Sequence, residues 1–242
     1  MYKWVLGTLV IQTGPNATTP TWRNVSLHAN PASRKVGKQW ITKFMYHNAD
    51  RMFHEYGFPS IASGEILPCE LDFPYKEDAG FTTVYRHQVD GNIPFEYMTT
   101  GFSVEWIIQS FMPQPVATIL NEADEESMQC AVLSHDGEYV NLLSVHDDET
   151  CKATDDNYQR NRLFWIDIHR LPGGRTRNRT LFFTSAIFTK DGYVSLDEDA
   201  RDWGFTVSQY PPEQQEAMFV SSMRRAVSAQ HRKSQCPHCT LA

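Results

Sequence analysis

The chain has 242 residues, of which 41% are hydrophobic and 21% charged, and its formal net charge is −7. This apolar content exceeds that of a disordered chain, no segment offers the roughly 20 apolar residues of a membrane helix, and five cysteines are too few for a disulfide-rich scaffold. The acidic balance argues against a surface devoted wholly to nucleic acid. We therefore expect a globular protein without a membrane partner.

The first predicted elements are a strand over residues 2–13 and a helix that begins at Asn30-Pro31 and ends at Gly57. Asn caps helix N-termini, Pro suits the first helical position, and Gly favours the helix end. Between these limits apolar residues recur at three- and four-residue spacing, which predicts one buried face. Its members are Val36, Trp40, Ile41, Phe44, Met45, Met52, Phe53 and Tyr56. We expect residues 60–80 to be irregular.

Strand signals dominate the chain beyond residue 80. Asp-Gly pairs between apolar, β-branched runs are the strongest short signal for a β-hairpin, because the turn needs positive φ. A Pro-Gly-Gly turn predicts a further hairpin, and residues 101–112 form another candidate strand. The predicted turns lie at 90–91, 136–137, 172–174 and 191–192. Hairpins pair strands in antiparallel fashion, so a parallel sheet is not expected.

A second helix is predicted over residues 213–232, after Pro211-Pro212. Acidic residues and Gln lead it and arginines lie toward its end, as the helix dipole favours. The fold prediction is α+β, a mainly antiparallel sheet of about six to ten strands built from hairpins, with two packed amphipathic helices. We assign residues 1–210 to one α+β domain and residues 211–242 to a C-terminal helix with a basic, cysteine-containing tail.

Charge is segregated along the chain. Residues 122–156 hold eleven acidic residues against Lys152, and residues 160–179 hold six arginines against Asp167. Blocks of opposite sign suit contacts between copies or partners, although a merely solvated surface is the alternative. The predicted interaction residues are Arg160, Arg162, Arg170, Arg175, Arg177 and Arg179. The predicted acidic partner surface consists of Glu122, Asp124, Glu125, Glu126, Asp147, Asp148 and Glu149.

The cysteine pattern gives only a weak metal signal. Cys236 and Cys239 form a Cys-x-x-Cys pair with His238 between them and His231 nearby. A structural zinc site needs four ligands, and no second pair of cysteines or histidines completes this one. We therefore predict no bound metal and no cofactor. An odd number of cysteines and the absence of a signal-peptide pattern favour a reducing intracellular or virion location over secretion.

Two histidines flank a predicted strand, His135 before an Asp-Gly turn and His146 before two acids. Opposed histidines and carboxylates could hold a divalent metal or act as an acid–base pair. Backbone geometry already explains Asp136-Gly137 as a hairpin turn, so no residue is predicted to be catalytic. A metal-dependent hydrolase that uses His135, His146 and neighbouring acids remains an alternative.

Since no catalytic arrangement stands out, the sequence favours a non-enzymatic structural or interaction protein. We expect a subunit of a larger assembly, for example a phage head, neck or tail component of a virion. Its partners would be other copies of the chain or other subunits. A second alternative is a nucleic-acid binder that works through the arginine-rich hairpin, where neighbouring aromatic residues could stack on bases.

Overall fold

The computed structural model describes residues 30–33, 36–37, 45, 47–73, 83–92, 95, 128–135, 138–145 and 162–234. For residues 128–135, 138–145, 162, 164 and 230–234 it describes the backbone path alone. The predicted strands at 2–13 and 101–112 lie outside these residues. Within the part that is described, no helix is long and apolar enough to cross a membrane.

The centre of the fold is a six-stranded sheet in the order β1-β2-β6-β5-β4-β3. All of its neighbouring strands pair antiparallel, and a two-stranded β7-β8 hairpin follows. With the helices described below, this arrangement confirms the α+β prediction. The strands are β1 Leu67–Asp72, β2 Thr83–Gly91, β3 Met128–His135, β4 Glu138–Val145, β5 Arg162–Arg170, β6 Thr176–Thr184, β7 Phe188–Thr189 and β8 Gly192–Tyr193.

Three of the four predicted hairpins are present. Strands β3 and β4 pair up to residues 135 and 138, and β7 and β8 pair on either side of Lys190-Asp191. A short turn of 3₁₀ helix, Pro172–Gly174, joins β5 to β6, and Gly173 and Gly174 adopt the positive φ angles that favour glycine there. These pairings confirm that turn chemistry sets this part of the sheet.

The predicted turn at Asp90-Gly91 is wrong. Strand β2 extends to Gly91, and Asp90 and Gly91 pair within it with Arg177 and Thr176 of β6. Its other neighbour is β1, which lies in the segment that was expected to be irregular. Strand β1 contains Pro68 and tolerates it because this strand is at the edge of the sheet.

The first helical region is capped as predicted but is not continuous. The Asn30 side chain accepts hydrogen bonds from the next turn, at 3.1 Å from the backbone nitrogens of Ala32 and Ser33. Asn48 is a turn residue, and helix α1, Ala49–Glu55, begins after it. Gly57 follows the helix with φ 72°.

The apolar stripe predicted for this region is only partly buried. Met45, Met52 and Phe53 belong to the core, whereas Val36 is 59% exposed. The prediction for Val36 is therefore wrong. Trp40 and Phe44 lie outside the described residues.

Helices α2, Leu196–Asp202, and α3, Pro212–Ser234, form a second apolar cluster in which Phe219 and Met223 are buried. Helix α3 confirms the second predicted helix, and Phe73 after β1 packs against this cluster. Helix α2 was not predicted, although Ser195-x-x-Glu198 is a helix-start signal and the Ser195 hydroxyl accepts from the Glu198 nitrogen at 3.2 Å. The domain division at residue 210 stays a prediction.

Candidate functional site

Helix α1 covers one face of the sheet, which we call the helix-side face. Because side chains alternate along a strand, directly paired residues of β2, β6 and β5 form rows on this face. Two apolar-rich rows pack under α1 and two polar rows follow them toward one end of the strands. The apolar-rich rows are Val84, Phe183, Leu163 and Arg86, Leu181, Trp165; the polar rows are Gln88, Arg179, Asp167 and Asp90, Arg177, His169.

Arg177 occupies the centre of the last polar row and is 2% exposed. Its guanidinium makes a two-point contact with Asp90, Nε to Oδ1 at 2.6 Å and Nη2 to Oδ2 at 2.9 Å. Its Nη1 atom donates to the backbone carbonyls of Ile61, at 2.6 Å, and Ser63. The hydrogen bonds from Arg177 hold the pKa of the Asp90 carboxyl below its usual value.

Arg179 forms the neighbouring polar row with Asp167, and both side chains are buried. Arg179 donates from Nε to Asp167 Oδ2 at 2.6 Å, its Nη2 contacts the same oxygen, and His169 Nε2 lies 2.7 Å from it. The guanidinium carbon is 4.2 Å from the centre of the Phe53 ring. Arg179 Nη2 is also 3.6 Å from the almost fully exposed carboxylate of Asp50 in α1, so Arg179 lies close to the surface.

Among the described residues, three buried side-chain atoms have no hydrogen-bond partner, and all three belong to the rows of the helix-side face: Gln88 Oε1 and Asp167 Oδ1 in a polar row, and Arg86 Nε in the neighbouring apolar-rich row. The named partners of the Asp167 carboxylate all lie on Oδ2. The Gln88 amide donates to the backbone carbonyl of Glu65 at 3.0 Å, so its oxygen points elsewhere. Such unpaired buried atoms are rare in proteins and call for an explanation.

Residues 57–66, which we call the covering loop, lie over the polar rows. The loop offers three carbonyls at alternating positions, those of Ile61, Ser63 and Glu65, to the side chains of Arg177 and Gln88. Side-chain hydrogen bonds to its carbonyls therefore tie this loop to the sheet.

The structure places the predicted interaction arginines in different environments. Arg170 and Arg175 are exposed, and Arg175 lies 4.0 Å from Asp90. Arg177 and Arg179 share one face, as alternation predicts, but that face is buried and the chain's own carboxylates neutralise it. The prediction that these two arginines form an exposed contact surface is therefore wrong. The side chains of Arg160 and Arg162 lie outside the described residues.

The remaining predicted site residues are not brought into this site by the described structure. The acidic surface at 122–126 and 147–149, His146, and the tail with Cys236, His238 and Cys239 lie outside the described residues, and His231 is described only as part of the backbone of α3. His135 ends strand β3. Within the described residues, no group of three or more histidines, cysteines or carboxylates could hold a metal ion.

Sequence reasoning missed Gln88, Asp90 and Asp167 as site residues. A usable signal exists in β5, where Trp165, Asp167 and His169 alternate with Ile166 and Ile168. An acid and a histidine two and four residues after a tryptophan fall on the same face of a strand. Since Trp165 is a core residue, that alternation indicates polar side chains directed into the protein.

No family model and no curated protein matches this chain. Fourteen chains of solved structures match it, among them human StAR-related lipid transfer protein 5, with 11% sequence identity and a TM-score of 0.41 over 80% of this chain and 99% of that one. A TM-score at this level does not establish a shared fold, so the lipid in that protein's name is not carried over.

The predicted role as a structural or interaction subunit of an assembly or virion is wrong. The solved structure named above is a lipid transfer protein and gives that role no support. Arg177 and Arg179, two of the arginines on which the prediction depended, are buried. The two alternatives in the same prediction, the hydrolase at His135 and His146 and the nucleic-acid binder, are likewise not supported. The burial of Arg177 and Arg179 also takes two arginines away from the basic surface on which the nucleic-acid alternative depended.

Proposed function

We propose that this chain binds a small molecule beneath the covering loop, at the polar rows of the helix-side face. The observation that carries the proposal is the pair of side-chain oxygens, Gln88 Oε1 and Asp167 Oδ1, that are buried in one row without a hydrogen-bond partner. An unpaired buried acceptor costs about 1–3 kcal/mol. A bound molecule that donates hydrogen bonds to both oxygens offsets that cost.

Binding explains the polar rows better than stability does. Buried ion pairs contribute little net stability, and apolar residues of similar volume often replace them without loss. The neighbouring apolar-rich rows already pack against Met52 and Phe53 of α1. Polar residues in the same interface therefore fit a role in recognition. Arg179 lies 3.6 Å from the exposed carboxylate of Asp50, so the site is close to the surface of the protein.

Native mass spectrometry of the purified chain tests this proposal. We expect the wild-type protein to carry excess mass that is released on denaturation. Asp167→Asn turns an unpartnered acceptor into an amide donor and should abolish the excess mass. Asp191→Asn is the matched control, because Asp191 lies exposed in the turn between β7 and β8 and the variant should retain the ligand.

Two results would contradict the proposal. One is a wild-type chain that retains its fold but shows only its sequence mass. The other is equal retention of the excess mass by Asp167→Asn and wild type, since the ligand would then lie elsewhere.

A further inference from the structure

Building on the proposed function, we infer that the ligand is a neutral, polyhydroxylated molecule of about monosaccharide size. Among the described residues, the buried atoms without partners are two acceptors, Gln88 Oε1 and Asp167 Oδ1, and one donor, Arg86 Nε. A hydroxyl group both donates and accepts hydrogen bonds. Hydroxyls therefore satisfy all three atoms with one kind of group.

Charged ligands fit this set of atoms less well. A carboxylate or a fully ionised phosphate cannot donate to the oxygens of Gln88 and Asp167, and an ammonium group cannot accept from Arg86. The charges around the site are also already paired. Arg179 contacts Asp167, and Arg86 lies 2.7 Å from Asp72. A neutral ligand leaves this balance unchanged.

The orientation of the Gln88 amide supports the assignment. The Glu65 carbonyl can only accept, so the amide nitrogen of Gln88 must face it at 3.0 Å. The amide oxygen of Gln88 is therefore a hydrogen-bond acceptor without a donor. If the amide of Gln88 were rotated by half a turn, its oxygen would face the carbonyl oxygen of Glu65. Two acceptors would then oppose each other, and the hydrogen bond to Glu65 would be lost.

The spacing of the three residues sets the size of the ligand. Arg86 and Gln88 are two residues apart on β2, which separates their Cα atoms by about 7 Å. Gln88 and Asp167 lie on strands that flank β6, about 10 Å apart. One hydroxyl cannot serve all three residues across this patch. Several hydroxyls on a scaffold of about six carbons can.

Nuclear magnetic resonance of the full ¹⁵N-labelled chain tests the inference, with glycerol, D-glucose and myo-inositol as probes. We expect at least one of them to cause saturable shifts of the Gln88 side-chain amide and the Arg86 Nε–H signals. The Gln215 amide is an internal control, because it also donates to a backbone carbonyl, that of Tyr210, at 3.0 Å. It should not shift. Cyclohexanol, methylammonium and inorganic phosphate should leave all three signals in place.

A pair of variants completes the test. Gln88→Met keeps the length of the side chain but removes the acceptor, and should weaken binding of the polyol probe roughly three- to tenfold. Gln214→Met on the exposed side of α3 should bind it as the wild type does. Wild-type titrations decide the question on their own if Gln88→Met does not fold.

The outcomes separate the inference from the proposed function. Excess mass in the native spectrum without any polyol-induced shift would overturn the inference and leave the proposed function standing. A bound apolar lipid would have the same effect. Shifts at Gln88 with methylammonium or phosphate in place of the polyols would also overturn it. A chain without excess mass and without polyol shifts would overturn both.

Discussion

The two halves of the helix-side face lie under the same segment of chain but satisfy different requirements. In the apolar-rich half, Trp165 and Phe183 pack edge to face at 6.0 Å, and Phe53 lies in the same cluster. Burial of these apolar side chains needs area and shape only. In the polar half each buried atom also needs a partner, and Gln88 and Asp167 each leave one oxygen without one. The difference indicates that folding explains the first half, whereas the second requires something more.

The largest expected effect comes from the apolar-rich half. Phe53 is 1% exposed, so Phe53→Ala should lower the free energy of unfolding by about 3–5 kcal/mol. Ile66→Ala is the control, because Ile66 is 60% exposed and its truncation should change stability by less than about 0.5 kcal/mol. Urea denaturation measures both. A cost below about 1 kcal/mol for Phe53→Ala would mean that this half does not hold the fold together.

A smaller effect is expected when the polar half is broken. Arg177→Met leaves Asp90 and two loop carbonyls without their donor and should cost about 3 kcal/mol. The double variant Arg177→Met/Asp90→Leu removes both charges and should recover much of that loss. Urea denaturation of the two variants compares them. If the double variant is less stable than Arg177→Met, the pair itself stabilises the fold and the contrast between the halves fails.

The smallest effect is a pH dependence. The pKa of Asp90 is lower in the folded chain than in the unfolded one, because Arg177 donates hydrogen bonds to its carboxylate. The stability that Asp90 contributes is therefore complete above the unfolded pKa of about 4 and is lost as the pH falls through the lower folded value. Denaturation of wild type and Asp90→Asn between pH 7 and pH 2 measures it. The difference in stability between them should shrink as the pH falls, and a constant difference would contradict this assignment.

Local chemistry predicted much of the fold and little of the site. The Pro-Gly-Gly turn and the Asn30 cap are signals within a few residues, and the structure confirms them. The face that Arg177 and Arg179 share was also predictable. The sequence did not reveal which segments cover that face, because β2 and the covering loop lie about 90 and 115 residues earlier in the chain. Arg177 and Arg179 were therefore predicted to lie on an exposed surface, whereas each is buried in a polar row.

The wrong prediction of a turn at Asp90-Gly91 has the same cause, a contact between residues far apart in the sequence. The dipeptide is a strong turn signal, yet the pairing of Asp90 with Arg177 holds it in a strand. Nothing near Asp90 in the sequence reveals that partner. Long-range pairing of charges outweighs the local preference at this position.

A crystal structure of the protein as purified tests the central claim most directly, through the electron density beside Gln88 Oε1 and Asp167 Oδ1. The account predicts continuous density larger than a water molecule, within hydrogen-bond distance of both oxygens and enclosed by the covering loop. Isolated water peaks that satisfy both oxygens, with the loop closed over them, would contradict it, because the polar rows would then be a hydrated part of the core.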